Sequence, residues 1–382
     1  MTGSRSDVDP LELLHRSLGD LVPGPVTPGA VALISRGGVA VFHRAYGWAQ
    51  THDHEGPIEH PRPMTKDTIF DIASITKVFT TSAIMRLEAD GEIALDTPAK
   101  TFLPALGSGP APLTVDQLLT HRGGLAAWQP VYLYAKQRDE ALEWVCHHGV
   151  RHRADRRRRY SDLGFILLGG IVEQVTGERL DRFCEREIFT PHGMTATCFQ
   201  PLEQTRGLIA ATSTGNRTEQ RMIETNDPEA VDGSPGDFRH WRTHTLVGEA
   251  QDGNAAHSFG GVAGSAGAFS TASDLAAFGG ALSDTLNGGA SIWDRSTLER
   301  FLREPYDRGQ GRGWWTRRCD WGRERVGFGH GGFTGCEIAV VPRAEAVVVL
   351  LTNRLHTERD PPPDHMELWR LTLDALRGAV AL

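Results

Sequence analysis

Apolar positions along the 382-residue chain recur with two different periods. Leu11, Leu14, Leu18 and Leu21 return every three or four residues, which predicts an amphipathic helix near the start. GAVALIS and VAVFHRAYGWA then flank Arg36-Gly37-Gly38, and two β-rich runs around a glycine turn predict a hairpin. The next stretch, THDHEGPIEHPRPMT, is polar and aperiodic and reads as a loop. A helix is expected to begin near Ser74, with Val78, Phe79, Ala83, Ile84 and Leu87 as its buried stripe. Farther on, TVDQLLTH, RDEALEWVCHH and LGFILLGGIVEQVTG predict helices, the last closed by Gly177. Residues 213–245 are polar without a period and predict a long surface excursion. In GGVAGSAGAFSTASDLAAF, glycines clear a tight passage before Thr271 and Asp274 start another helix. CEIAVVP and AVVVLLTN predict two strands around Pro342-Arg343-Ala344-Glu345, and MELWRLTLDALRGAV a final amphipathic helix.

Strands at both ends and helices between them predict an α/β (α+β) fold. Residues 1–90 and 255–382 would build one antiparallel sheet covered by the terminal helices. Residues 91–254 would form a mostly helical domain, with a cleft where the two meet.

Hydrophobic content of 40% and charged content of 23% fit a folded domain protein. The net charge of −8 argues against a general binder of nucleic acid or anionic membrane, which needs surplus positive charge. No basic segment followed by an apolar run opens the chain, and no apolar run approaches membrane-spanning length, so the expectation is a cytoplasmic protein. Cys146, Cys184, Cys198, Cys319 and Cys336 are odd in number and widely spaced, which reads as reduced thiols. His52, His54 and His60 lie in the polar stretch without a helical or strand frame, so no metal site is expected there, and no cofactor is implied.

Only four of the 40 basic residues are lysine: Lys66, Lys77, Lys100 and Lys136. One of them stands three residues after a serine, in Ser74-Ile75-Thr76-Lys77. On a helix that spacing puts both side chains on one face, so Lys77 can lie beside the Ser74 hydroxyl. A lysine works as a base when burial or a nearby positive field lowers its pKa. Two further pieces could converge on the pair. Tyr160-Ser161-Asp162 opens the LGFILLGGIV helix, and His330-Gly331-Gly332 sits within GFGHGGFTGC before a strand. An edge strand there would offer a free amide to an oxyanion.

In this order and at these spacings, the three motifs resemble the serine β-lactamase and penicillin-binding-protein superfamily. The similarity is greatest to its class C-like branch of family VIII-type esterases, D-aminopeptidases and D,D-peptidases. That family's pattern is Ser-x-x-Lys, then Tyr-x-Asn, then a Lys/His-Thr/Gly-Gly strand. TIFDIASITK, LLTHRGGL and YSDLGFILLGGIVEQVTG add to the likeness, which runs from GAVALISRGG to VVVLLTNRLH. The resemblance implies a β-lactamase/D,D-peptidase-like fold with its active site in the cleft. Ser74 would attack a carbonyl, with Lys77 and Tyr160 sharing the proton transfers. The backbone N–H groups of Ser74 and Phe333 would form the oxyanion hole. His330 would line the pocket and hydrogen-bond Tyr160 or the substrate, and Asp162, Gly331, Gly332 and Trp315 would contact substrate.

Two departures narrow the substrate. Asp162 replaces the family's asparagine, and an ionised aspartate cannot donate a hydrogen bond and repels a substrate carboxylate. It would also hold Lys77 as ammonium and leave more of the proton transfer to Tyr160, unless it faces away. His330 replaces a lysine that attracts the β-lactam carboxylate. Both disfavour β-lactam hydrolysis as the native activity. The expectation is a hydrolase of small-molecule esters, amides or thioesters. An acyltransferase using the same acyl-enzyme and a non-catalytic ligand-binding protein on the same fold remain as alternatives. Arg156-Arg157-Arg158-Arg159, beside Tyr160, is the candidate docking patch for an acyl carrier protein, against the simpler reading of a solvated face. Trp314, Trp315 and Trp321 precede the third motif as packing residues or pocket walls. Glu249, Asp252 and Asn254 are read as polar groups at the cleft rim.

Overall fold

A computed structural model describes residues 9–107, 113–289, 291–317, 327–359 and 361–380. Its strands are β1 (Gly29–Arg36), β2 (Val39–His52), β3 (Pro57–Pro63), β4 (Phe70–Asp71), β5 (Cys198–Phe199), β6 (Ala268–Ser270), β7 (Phe328–Gly332), β8 (Cys336–Val341) and β9 (Ala346–Thr352). The helices are α1 (Pro10–Leu21), α2 (Thr76–Ala89), α3 (Val115–Leu119), α4 (Arg138–His148), α5 (Asp162–Thr176), α6 (Leu180–Cys184), α7 (Arg217–Thr225), α8 (Ala272–Leu286), α9 (Arg295–Leu302) and α10 (Met366–Val380).

Six strands form one antiparallel sheet in the order β3-β2-β1-β9-β8-β7, so the chain's first and last thirds meet where β1 pairs with β9. A small second sheet, β4-β6-β5, lies beside it. The central strands are apolar on both faces, and their side chains alternate between two cores. Val31, Leu33, Ile338, Val340, Val347 and Val349 point to the larger core, which holds α2, α5 and α8. Ala32, Ile34, Ala339, Val341, Val348 and Leu350 point to the other, closed by Leu14 and Leu18 of α1 and Leu368 and Trp369 of α10. The two terminal helices pack on each other over that face.

Three segments differ from the sequence reading. The polar stretch after β2 contains a strand, β3, paired with β2 through Trp48↔Pro63, Gln50↔Arg62 and His52↔Pro57. It is an edge strand, the position in a sheet that tolerates proline, so its prolines hid it. Second, α2 is enclosed all round instead of showing one buried stripe. Thr76, Lys77, Thr80, Thr81 and Ser82 are as buried as Val78 and Phe79. Third, residues 213–245 carry α7 and a satellite core of Trp128, Tyr132, Ile223 and Phe238. Two of those four partners lie outside the segment, so its own pattern could not reveal the core.

Among the described residues, Cys146, Cys184, Cys198 and Cys336 are free, while Cys319 and Trp321 lie outside them. No group of His, Cys, Asp and Glu among the described residues could hold a metal. His52 instead stacks flat on His356, with ring centroids 3.8 Å apart. None of the described helices is long and apolar enough to cross a membrane.

Candidate active site

The nucleophile candidate sits where the small sheet turns into α2. β4 ends at Asp71, a single 3-10 turn spans Ala73–Ile75, and α2 follows. Asp71 is buried and braces this turn. Its Oδ1 accepts from the Ala73 amide at 2.9 Å, its Oδ2 from the Gln251 amide at 2.7 Å, and its carbonyl from Thr334 Oγ1 at 2.8 Å. Ala73 is thereby held at φ +45°, a left-handed conformation costly for a residue with a Cβ. The strained link delivers Ser74, partly exposed, to the floor of a cavity of about 580 Å³.

The i, i+3 spacing then places Lys77 Nζ 2.8 Å from Ser74 Oγ. Nζ also lies 2.9 Å from the Ser265 carbonyl and 2.7 Å from Asp162 Oδ1. Three oxygens thus crowd it, and the Tyr160 phenol adds a fourth. The Ser265 carbonyl comes from the glycine-rich passage before β6. Gly264 lets that passage through, because a Cβ there would sit 2.1 Å from the Phe165 carbonyl. Thr80 Oγ1 fastens the same passage by donating to the Gly264 carbonyl at 2.8 Å.

Tyr160 and Asp162 arrive at the start of α5. Ser161 caps that helix, accepting from the Gly164 amide at 3.2 Å and donating to the Ala126 carbonyl at 2.6 Å. Asp162 is the first helical residue, where the helix dipole favours an anion. The cap also sets the direction of Tyr160, whose phenol comes within reach of Ser74 and Lys77. His121 packs on the phenol ring at 4.5 Å and accepts the Ser161 amide on Nδ1 at 3.1 Å.

Burial alone would drive Lys77 towards neutrality. The Asp162 carboxylate, and after it Tyr160, outweigh burial and hold the lysine above its ordinary pKa. Burial also raises the Tyr160 phenol, against the pull of Lys77. His121 is pushed well below its ordinary value, by burial first and then by Lys77. The resting site thus holds an ammonium, a neutral phenol and a neutral imidazole.

Opposite Ser74 runs β7, the edge of the large sheet. Gly332 crosses the nucleophile turn so closely that a Cβ would lie 2.4 Å from the Ile72 carbonyl. This glycine admits neighbouring backbone as well as lining the cavity. Among the described residues the amides of Ser74 and Phe333 have no hydrogen-bond acceptor, as an oxyanion hole requires. Gly331, Gly332, Phe333, Trp315 and Asp162 line the cavity. His330 is buried and does not line it. Trp315 bridges to Gly329 on the open edge of β7 and stacks on the imidazole at 4.3 Å, so the indole takes the place at the wall.

Other sequence candidates separate. Trp314 is fully buried packing. Asp252 lines the cavity, whereas Glu249 does not, and Asn254 is buried with its side chain on Val131 and Gln129. In the arginine run, Arg158 donates to Gln310 at 3.2 Å and Arg159 pairs with Glu229 at 3.4 Å, which leaves Arg156 and Arg157 at the surface. Asp71, His121 and the Ser265 carbonyl escaped the sequence reading. A backbone carbonyl has no residue-type signature. An aspartate two residues before a turn residue was the one available signal for Asp71.

The family model described as Beta-lactamase matches residues 19–372. The chain belongs to the beta-lactamase family. It is 30% identical over 362 residues to a "Putative D-alanyl-D-alanine carboxypeptidase" of Escherichia coli (strain K12), covering 86% of this chain and 79% of that one. Among solved structures, "EstCE1, a hydrolase with promiscuous acyltransferase activity" superposes with a TM-score of 0.69 at 21% identity, over 96% of this chain and 97% of its own. A family VIII carboxylesterase superposes with a TM-score of 0.70 at 17% identity, over 96% of each chain. At those identities the likeness carries the fold, the β-lactamase and penicillin-binding-protein architecture. Membership of the beta-lactamase family makes the chain a serine hydrolase.

Proposed function

We propose that this beta-lactamase-family protein hydrolyses small-molecule esters or amides through an acyl-enzyme on Ser74. The observation that carries the reading is the 2.8 Å contact of Ser74 Oγ with Lys77 Nζ on the floor of the cavity. Ser74 attacks the carbonyl carbon, and the amides of Ser74 and Phe333 receive the developing oxyanion. Lys77 and Tyr160 lie where protons leave Ser74 and reach the leaving group. Asp162, an acid 2.7 Å from Lys77 where the family has a hydrogen-bond-donating amide, disfavours acyl donors with a carboxylate next to the scissile bond, as β-lactams have. A fluorophosphonate probe and p-nitrophenyl esters test the proposal. The wild-type protein is expected to be labelled at Ser74 and to turn esters over, and Ser74→Ala to do neither. An unlabelled wild-type protein without ester turnover would overturn it.

Acyl transfer from the same intermediate is the second reading. The structural likeness to EstCE1 favours it, together with a cavity large enough to admit an alcohol or amine beside the acyl group. Product analysis with competing alcohols and amines separates the two, since transfer yields new esters or amides in place of free acid. An acyl carrier protein as donor would have Arg156 and Arg157 to dock on.

A further inference from the structure

We infer that Asp162 is the terminal acceptor of the Ser74 proton, reached through Lys77, because Ser74 Oγ, Lys77 Nζ and Asp162 Oδ1 form one line of contacts of 2.8 and 2.7 Å. The inference rests on the acyl-enzyme reading above and deepens it.

Three groups near Ser74 could take its proton. Lys77 is fully buried among the oxygens of Ser74, Ser265, Tyr160 and Asp162, the last a carboxylate, and an ammonium so held has no lone pair to offer. Tyr160 would have to become a phenolate, which would set a second anion against the one ammonium already paired with Asp162. Asp162 is the one anion touching the Ser74–Lys77 pair among the described residues, and its side chain opens onto the cavity. An asparagine at this position could only form hydrogen bonds, whereas a carboxylate can also bind a proton.

The step balances without an external reactant. In one event an N–H bond of Lys77 breaks, its proton passes to Asp162 Oδ1, and Nζ turns the lone pair so freed to Ser74. The Ser74 O–H bond breaks as Oγ bonds to the carbonyl carbon, and that proton passes to Nζ. Lys77 ends as it began, an ammonium, and Asp162 becomes a neutral acid. When the tetrahedral adduct collapses, the leaving group departs with the bonding pair and takes a proton from Lys77, which recovers one from Asp162. Water repeats both transfers to release the acyl group.

Several titratable groups face this line. Tyr160 lies beside Lys77, and His121 and His330 stand on that side. Asp252 faces Asp162, with Glu219 next to Asp252 and Arg242 close to Glu219. Burial first, then Glu219 and Asp162, push Asp252 up to about 7, so it titrates within the working range and needs its own control.

The test is the pH profile of kcat/KM for p-nitrophenyl acetate. Wild-type activity should fall on the acidic side. Asp162→Asn should lower kcat/KM at pH 7 by roughly 10²–10⁴-fold. The limb should then follow loss of the Lys77 proton, below the ordinary lysine range, because burial is no longer opposed by the Asp162 carboxylate. In Asp252→Asn the acidic limb should persist. Formate should restore turnover to Asp162→Ala by supplying a mobile carboxylate through the open cavity. Wild-type rates in mixtures of light and heavy water should curve, because two protons move together, and this measurement needs no variant to fold. Three results would each overturn the inference: a wild-type profile in Asp162→Asn, a loss that is uniform across pH with no rescue by formate, or a linear isotope dependence. Failure of wild type to label or turn over defeats the acyl-enzyme reading and this inference together, whereas an active wild type with an indifferent Asp162 defeats this inference alone.

Discussion

The large sheet has two faces, and they are built on opposite rules. The face under α1 and α10 is dry, closed by Leu14, Leu18, Leu368 and Trp369 on Ala32, Ile34, Val348 and Leu350. Its helices are amphipathic, and their outward sides are solvated. The face under α2 begins with a similar apolar layer but then buries Thr76, Lys77, Thr80 and Thr81 in one helix. Buried polar groups cost free energy unless each finds a partner. Here Thr76 receives the Ala268 amide, Thr80 holds the Gly264 carbonyl and Lys77 has its oxygens, while Thr81 Oγ1 finds no partner among the described residues. Stability resides on the first face, and on the second part of it is exchanged for a fixed charge beside a hydroxyl.

Substitutions can break that contrast. The largest effect is expected from Ser74→Ala, which should remove turnover by roughly 10⁶-fold, as loss of a serine nucleophile typically does, while thermal melting stays within a degree or two of wild type. Next is Trp369→Ala, which should cost about 3–5 kcal/mol by emptying the dry core. Its effect should appear in urea unfolding, with kcat/KM of the folded protein unchanged. A fall in catalysis with Trp369→Ala would mean that the faces are coupled through the sheet.

Asp71→Asn should come next, at about 1–3 kcal/mol, because the amide nitrogen it introduces cannot accept and leaves either the Ala73 or the Gln251 amide unmatched. It should also slow turnover by loosening the turn that carries Ser74. The pH dependence has a definite sign. Burial lifts the Asp71 carboxyl from 3.8 to about 6, so the folded chain keeps a proton there that the unfolded chain releases. That contribution to stability is complete below the unfolded value and is lost as pH rises through about 6. Melting curves between pH 4 and 7 should therefore show the deficit of Asp71→Asn shrinking as pH rises. The smallest effect is expected from replacing Arg156 and Arg157 by glutamine, within about 0.5 kcal/mol in stability, with KM for small esters unchanged.

The same contrast explains what the sequence could tell. The dry face was legible because Leu11, Leu14 and Leu18 obey a helical period, and the β1–β2 hairpin turns at the expected glycines. α5 was legible at its far end too, since Gly177 adopts φ +66° there. On the polar face, short motifs brought Ser74, Lys77, Tyr160 and Asp162 together because spacing on a helix or at a cap is a local property. The rest was not local. One of the oxygens at Lys77 is a main-chain carbonyl 188 positions away in sequence. Asp71 draws together amides from two distant segments. His330 read as a pocket residue through the family resemblance, but the stacked Trp315 is set by a bridge that no periodicity encodes.

Gly332 lies so near the Ile72 carbonyl that no larger side chain fits between them, and this makes the two sides of the cleft unequal. The strand edge and the serine-bearing turn are fused into a single rigid jaw. The facing jaw presents Thr218 and Met222 from α7, a short helix resting on its own small cluster. Divergence in acyl-chain preference among descendants of this scaffold should therefore accumulate on the helical jaw, with the strand jaw left as the invariant die.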